Sequence, residues 1–219
     1  MNDDQTYYRN TRPEVAAFLP PDAARVLEIG CGAGNFRRNF TGPVEYWGVE
    51  PVPAIAAIAA GALDKVLVGT FRDVLASLPD GHFDLVVCND VIEHMDDHDG
   101  FLEAIKGKMR PGRAWLVGSV PNVRYITNLY ALLVRKDWQY VDAGILDRTH
   151  LRFFTRRSLE RALLAHGYSV ERLEGINRIR IGARSPARFA LSVLVQGAAW
   201  ILGRDTLSAQ FAFRVCWKG

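Results

Sequence analysis

Three groups of residues in the 219-residue chain have types and spacings that could do chemistry. The first runs Glu28-Ile-Gly-Cys-Gly-Ala-Gly34, with Glu50 twenty residues beyond Gly30. Glycines let a backbone turn tightly and approach a ligand closely. A dinucleotide loop wants G-x-G-x-x-G, but Asn35 or Arg37 fills the third glycine slot, depending on the frame. A pyrophosphate is therefore disfavoured. An acid two residues ahead of the first glycine suits a ligand carrying an amine or sulfonium cation. Glu50 can accept both hydroxyls of a ribose. The second group is Asp147-Arg-Thr-His150-Leu-Arg152. His150 could take a proton from a hydroxyl with Asp147 orienting it, and Arg148 and Arg152 could bind an anionic group. The third is an acidic run holding Asp90, Glu93, His94, Asp96, Asp97, His98 and Asp99. Carboxylates suit magnesium, yet an acidic run opening a helix also complements its dipole. No metal is expected, and His94 competes with His150 as the base.

Short apolar runs predict the strands that must position these groups: Val26–Gly30, Glu45–Glu50, Lys65–Val68, His82–Asn89 and Ala114–Ser119. Helical or alanine-rich stretches lie between them at Asn35–Phe40, Ala54–Ala62, Phe71–Leu78 and Asp99–Met109. This alternation predicts an α/β fold, a doubly wound parallel sheet covered on both faces. Its ligand crevice lies beyond the strand C-termini, beside the first strand. Glu50 and the pair Asn89-Asp90 end their strands at that edge. Further on, Arg156–His166 reads as an amphipathic helix, and Tyr168–Leu173 and Gln210–Trp217 as strands. The connection 174–209 is too long for a turn and is read as a lid, dimer or membrane-surface insertion in a single domain, 1–219.

Apolar residues make up 49% of the chain and charged residues 23%, which excludes a disordered or fibrous protein. Three cysteines without metal spacing are read as reduced thiols of a cytoplasmic protein. No basic start precedes an apolar run, so no signal peptide is expected. A net charge of +3 is too weak to argue for nucleic acid. The apolar stretch Phe189–Leu202, with arginines at 184, 188 and 204, is too short to span a bilayer but could lie in a membrane interface. A monomer or homodimer is expected.

On Val26-Leu-Glu-Ile-Gly-Cys-Gly-Ala-Gly-Asn35, Trp47-Gly-Val-Glu50, Phe83-Asp-Leu-Val-Val-Cys-Asn-Asp-Val-Ile-Glu-His94 and Met109-Arg-Pro-Gly-Arg113, the chain resembles the class I S-adenosylmethionine (SAM)-dependent methyltransferases. The likeness covers Tyr7 to Leu173. It implies a mostly parallel, seven-stranded Rossmann-like sheet with an antiparallel last strand and a helical insertion. It also implies SAM as cofactor, with Glu28 and the Gly30, Cys31, Gly32, Gly34 and Asn35 loop on the methionine part. Glu50 and Pro51 would take the ribose, Thr70 and Phe71 the adenine, and Asn89, Asp90 and Val91 the sulfonium end. Thr70 stands where many relatives carry Asp. Tyr8 or Arg12 would hold the cofactor carboxylate. The block Asp147–Thr155, preceded by Pro121–Tyr125, is similar to methyltransferases of bacterial polysaccharide and glycan biosynthesis. That likeness implies a sugar hydroxyl as acceptor; by their types Asn122 and Tyr125 would suit a sugar face or form the core of a lid, and Arg148 and Arg152 complete the expected substrate side. A small-molecule O- or N-methyltransferase and a non-catalytic SAM-binding protein are the alternatives.

Overall fold

A computed structural model describes residues 11–179 and 185–218, so Tyr7, Tyr8 and Arg184 lie outside the described residues. Seven strands form one sheet: β1 (Arg25–Ile29), β2 (Glu45–Glu50), β3 (Lys65–Val68), β4 (Leu85–Asn89), β5 (Ala114–Pro121), β6 (Ser169–Arg178) and β7 (Ser208–Trp217). The order is β3-β2-β1-β4-β5-β7-β6. The pairs among β1 to β5 are all parallel, whereas β7 runs antiparallel to both β5 and β6. The helices are α1 (Pro13–Ala16), α2 (Pro53–Ala59), α3 (Phe71–Val74), α4 (His98–Ala104), α5 (Ile126–Leu133), α6 (Arg156–Ala165) and α7 (Pro186–Leu202).

The central strands are apolar on consecutive residues because both faces are covered. Leu27, Ile29, Val86 and Cys88 pack into one core with Phe101, Leu159 and Phe211. Val26, Leu85 and Val87, their neighbours in sequence, pack into the other with Val15, Phe18, Phe36 and Tyr46. That is the two-residue period of a strand. All eight residues of β5 are buried. The winding reverses at β1, whose neighbours are β2 and β4, so the crevice opens above their C-terminal ends.

Two expectations change. The segment after the glycine loop is a 3-10 helix over Asn35–Asn39 rather than an α-helix. Gly34 precedes it in a left-handed conformation without a side-chain cap, and Gly42-Pro43 follow within four residues. Second, β6 continues to Arg178, so the connection to β7 is shorter than the sequence pattern indicates. That connection carries the 17-residue α7, in line with the helical insertion that the resemblance implies. No helix among the described residues is long and apolar enough to cross a membrane.

Candidate functional site

The glycine loop turns back over the end of β2, where the Val49 carbonyl accepts from the N–H groups of Gly30 (2.8 Å) and Cys31 (3.1 Å). The turn requires left-handed backbone at Gly32, φ +52°. A Cβ there would meet nothing within 4 Å, because the residue faces open space. Buried Glu50 holds the loop from the other side, accepting from Gly32 N–H on one oxygen and Val52 N–H on the other, both at 3.0 Å. Each oxygen keeps a lone pair for a hydroxyl.

A cavity of about 370 Å³ lies above these strand ends. Gly30, Gly32, Glu50, Pro51, Thr70, Phe71, Asn89, Asp90 and Val91 line it, together with Met95 and His94. Buried Phe71 packs edge-on against Phe101, 5.0 Å between centroids. The Thr70 hydroxyl donates to Asp73 at 2.6 Å in a capping box that starts α3. Asn89 ends β4 with both side-chain amide atoms buried and unpartnered among the described residues. Unpaired buried polar atoms are costly, and a nucleoside with a polar tail supplies partners for them. The crevice residues thus fit SAM.

Glu28 and Cys31 have a different place. Glu28 is buried beneath the loop, and its carboxylate accepts from the Tyr46 hydroxyl at 2.8 Å. Burial pushes its pKa up to about 8, with Tyr46 opposing and nearby Glu50 adding to the rise. Cys31 is also buried, and burial raises its thiol pKa. Gly34 packs against Leu63, and Asn35 begins the 3-10 turn. These four residues shape the loop and do not line the cavity.

Asp90, at φ +53°, is the corner of the site. Its carboxylate accepts from Arg12, from the Ser119 hydroxyl (2.8 Å) and from the Gln210 amide (2.8 and 2.9 Å). Arg12 is thereby committed to Asp90, a partner the sequence reading did not give it. Ser119 and Gln210 were also missed, because they reach Asp90 from β5 and β7, far away in sequence. A strained φ held by three elements is typical of a functional site.

Beyond Asp90 lies a second cavity of about 660 Å³. Asp90 and His94 line both cavities, so the two meet there. Glu93, Asp142, Asp147, His150 and Gln210 supply most of the second cavity's polar groups, and no lysine or arginine lines it among the described residues. The rings of His94 and His150 stack edge to face with centroids 4.7 Å apart. Nδ1 of His94 faces the Thr149 carbonyl (3.2 Å), and Nδ1 of His150 faces the Ile145 carbonyl (3.0 Å). His94 is pushed below the ordinary imidazole pKa by burial and then by His150. Glu93 is fully buried, and neither of its oxygens has a hydrogen-bond partner among the described residues. Burial, then Asp90, holds it well above the usual carboxylate range.

Several expected roles change. Asp147 does not hydrogen-bond His150; it accepts from the N–H (2.8 Å) and hydroxyl (2.6 Å) of Thr149 and stiffens the turn. The Ile145 carbonyl orients the histidine instead. Asn122 is fully buried, donating to the carbonyls of Asp205 and Ser208 and accepting from Arg124 N–H, so its amide is spent on structure. Arg148 pairs with Asp142 at 2.7 Å, and Arg152 donates to the Asp96 carbonyl. Tyr125 stands at the N-cap position of α5 with no side-chain capping bond and, like both arginines, does not line the second cavity.

Residues 3–173 match the family described as "Methyltransferase domain". A "Ubiquinone biosynthesis O-methyltransferase" of Xanthomonas euvesicatoria pv. vesicatoria is 27% identical over 119 residues, 51% of this chain and 47% of that protein. One of the same name from Burkholderia vietnamiensis is 25% identical over 176 residues, 77% of this chain and 72% of that protein. The match thus spans about half the length of the Xanthomonas relative. A solved SAM-dependent methyltransferase from Archaeoglobus fulgidus superposes with a TM-score of 0.66 at 20% identity, covering 99% of this chain and 95% of that one, which is a likeness of fold.

Proposed function

This chain belongs to the methyltransferase domain family and is a SAM-dependent methyltransferase, and on that premise we propose that it methylates a hydroxyl of an uncharged small molecule, a sugar of a glycan or its precursor. The observation that carries the reading is the junction of the two cavities at Asp90 and His94, with carboxylates and two histidines lining the outer one. SAM supplies an electrophilic methyl group at a sulfonium. Glu50, Gly32 and Asn89 bind the nucleoside end, and Asp90 fixes the wall between donor and acceptor. The carboxylates of Asp142 and Asp147 accept from a polyhydroxylated ring, and a cavity that no Lys or Arg lines among the described residues gives an anionic acceptor nothing to pair with. His94 and His150 stand where the hydroxyl must lose its proton.

An amine acceptor is the second reading, because the same carboxylates attract a cation. Labelled SAM with panels of glycosides, phenols and amines separates the classes, and turnover of glycosides is expected. Turnover confined to phenols or amines overturns the sugar assignment. His150→Ala lowers kcat by about 10²–10⁴ while SAM affinity is retained; a near-normal kcat returns His150 to a structural role.

The reading includes a surface contact. On α7, Phe189, Val193, Leu194, Trp200 and Ile201 are all more than half exposed, Trp200 at 86%. From 175 to 204 the chain has no Asp or Glu and has arginines at 178, 180, 184, 188 and 204. An apolar helix in a basic, acid-free stretch suits an anionic membrane surface.

A further inference from the structure

The acceptor cavity contains one arrangement that a purely acid–base reading leaves unexplained. Glu93, His94 and His150 each offer one ligand atom, a carboxylate oxygen or a ring nitrogen, and these atoms all lie within 4.8 Å of one another. Ligands about 2.0–2.2 Å from a common ion stand about 3–4 Å apart, so small side-chain rotations close the set. Nδ1 of each histidine faces a main-chain carbonyl. That contact fixes the tautomer and leaves Nε2 with its lone pair, which is how ligating histidines are normally prepared. The third member points to a ligand independently. Glu93 is 0% exposed, lines the cavity, and has neither oxygen in a hydrogen bond among the described residues. Its main chain is anything but loose, because the Glu93 carbonyl accepts from Leu151 N–H (2.8 Å) and Arg152 N–H (3.0 Å). Those bonds tie the turn carrying Glu93 and His94 to the loop carrying His150.

We propose that Glu93, His94 and His150 bind one divalent first-row transition-metal ion, contrary to the expectation of no metal, and that this ion holds the acceptor hydroxyl. Two imidazoles and one carboxylate with open positions suit such an ion better than magnesium, which prefers oxygen ligands. Asp90 is not a member, since Arg12, Ser119 and Gln210 already engage its carboxylate. The ion lowers the pKa of the hydroxyl, as metals do for water. The proton leaves to solvent, the oxygen pair forms the new O–C bond, and the pair of the broken S–C bond returns to sulfur. The catalytic role rests on the methyltransferase reading, whereas the binding site does not.

The test uses the full chain, stripped with a chelator and titrated with Co²⁺, whose visible spectrum reports coordination. One equivalent should bind and develop d–d bands. Glu93→Gln and His150→Ala should each lose more affinity than the about 10–100-fold that follows removal of an outer partner. Asp96→Asn, in the exposed acidic run, should bind as wild type. SAM affinity is measured on every variant to show that it is folded. Wild type that binds SAM but not Co²⁺, or variants that bind Co²⁺ as wild type does, overturns the proposal. Chelator-treated enzyme with undiminished turnover leaves the methyltransferase reading standing and removes the ion's role in it. A chain that binds Co²⁺ but not SAM fails the functional reading instead.

Discussion

Glu50 is placed to decide cofactor affinity because it holds Gly32 and Val52 and still has acceptor capacity facing the crevice. Glu50→Ala removes charge-assisted hydrogen bonds and should weaken SAM by about 1.5–3 kcal/mol, read by calorimetry; unchanged affinity would remove Glu50 from the site. Glu28 controls stability instead. Its folded pKa, about 8, lies above the ordinary carboxylate value. The native state therefore binds the proton more tightly than the unfolded chain, and the Glu28 contribution to stability falls as pH rises from about 4.5 to 8. Every tenfold difference in proton affinity between the two states is worth about 1.4 kcal/mol. Glu28→Gln keeps an acceptor for Tyr46 and removes the titration, so its melting temperature should gain on wild type between pH 5 and 8. Parallel pH profiles for the two proteins would contradict a raised Glu28 pKa.

At the scale of elements, two glycines separate folding from binding. Gly118 sits in β5, where a Cβ would lie 2.7 Å from Cys88 Sγ and 2.9 Å from Phe213. Gly118→Ala should cost about 3 kcal/mol or more and lower the melting temperature by roughly 10 °C. Gly32→Ala has room, and its left-handed backbone costs only about 1–2 kcal/mol. Its methyl projects into the open space that Gly32 faces at the cavity, so it should lose SAM binding with a modest change in melting temperature; calorimetry and thermal melts on both variants check the contrast. The sheet and its crevice were legible in the sequence because contiguous runs such as Val26–Gly30 and Leu85–Asn89 carry both burial and chemistry. The outer half of β6 was not, since Glu174, Asn177 and Arg178 are exposed on it and dilute the strand pattern. The acceptor side was legible only as residue types. Whether Asn122 meets a ligand or the backbone depends on Asp205 and Ser208, more than eighty residues away. Neither Gln210 nor the orphaned Glu93 carboxylate could be recognised before the elements were assembled.

For the whole molecule, α7 sets an exposed apolar stripe into a basic stretch of chain. Vesicles containing anionic phosphatidylglycerol should sediment the protein and neutral vesicles should not, and Trp200→Glu with Ile201→Glu should abolish recruitment without changing SAM affinity. Equal recovery with both vesicle types would contradict the basic contribution. The strand order has a consequence for how such a molecule is made. β7 lies between β5 and β6 and, among the described residues, is the only strand that β6 pairs with, yet it is synthesised after both. A growing chain can complete the cofactor half while β5 still has an open edge and β6 has no sheet to join. An open edge of this kind is a template for wrong pairing. Gln210, which anchors Asp90, arrives on that same closing strand. The wall between the two cavities is therefore finished only when β7 closes the sheet, so on the proposed reading a nascent chain can gain the means to hold its cofactor before it can use it.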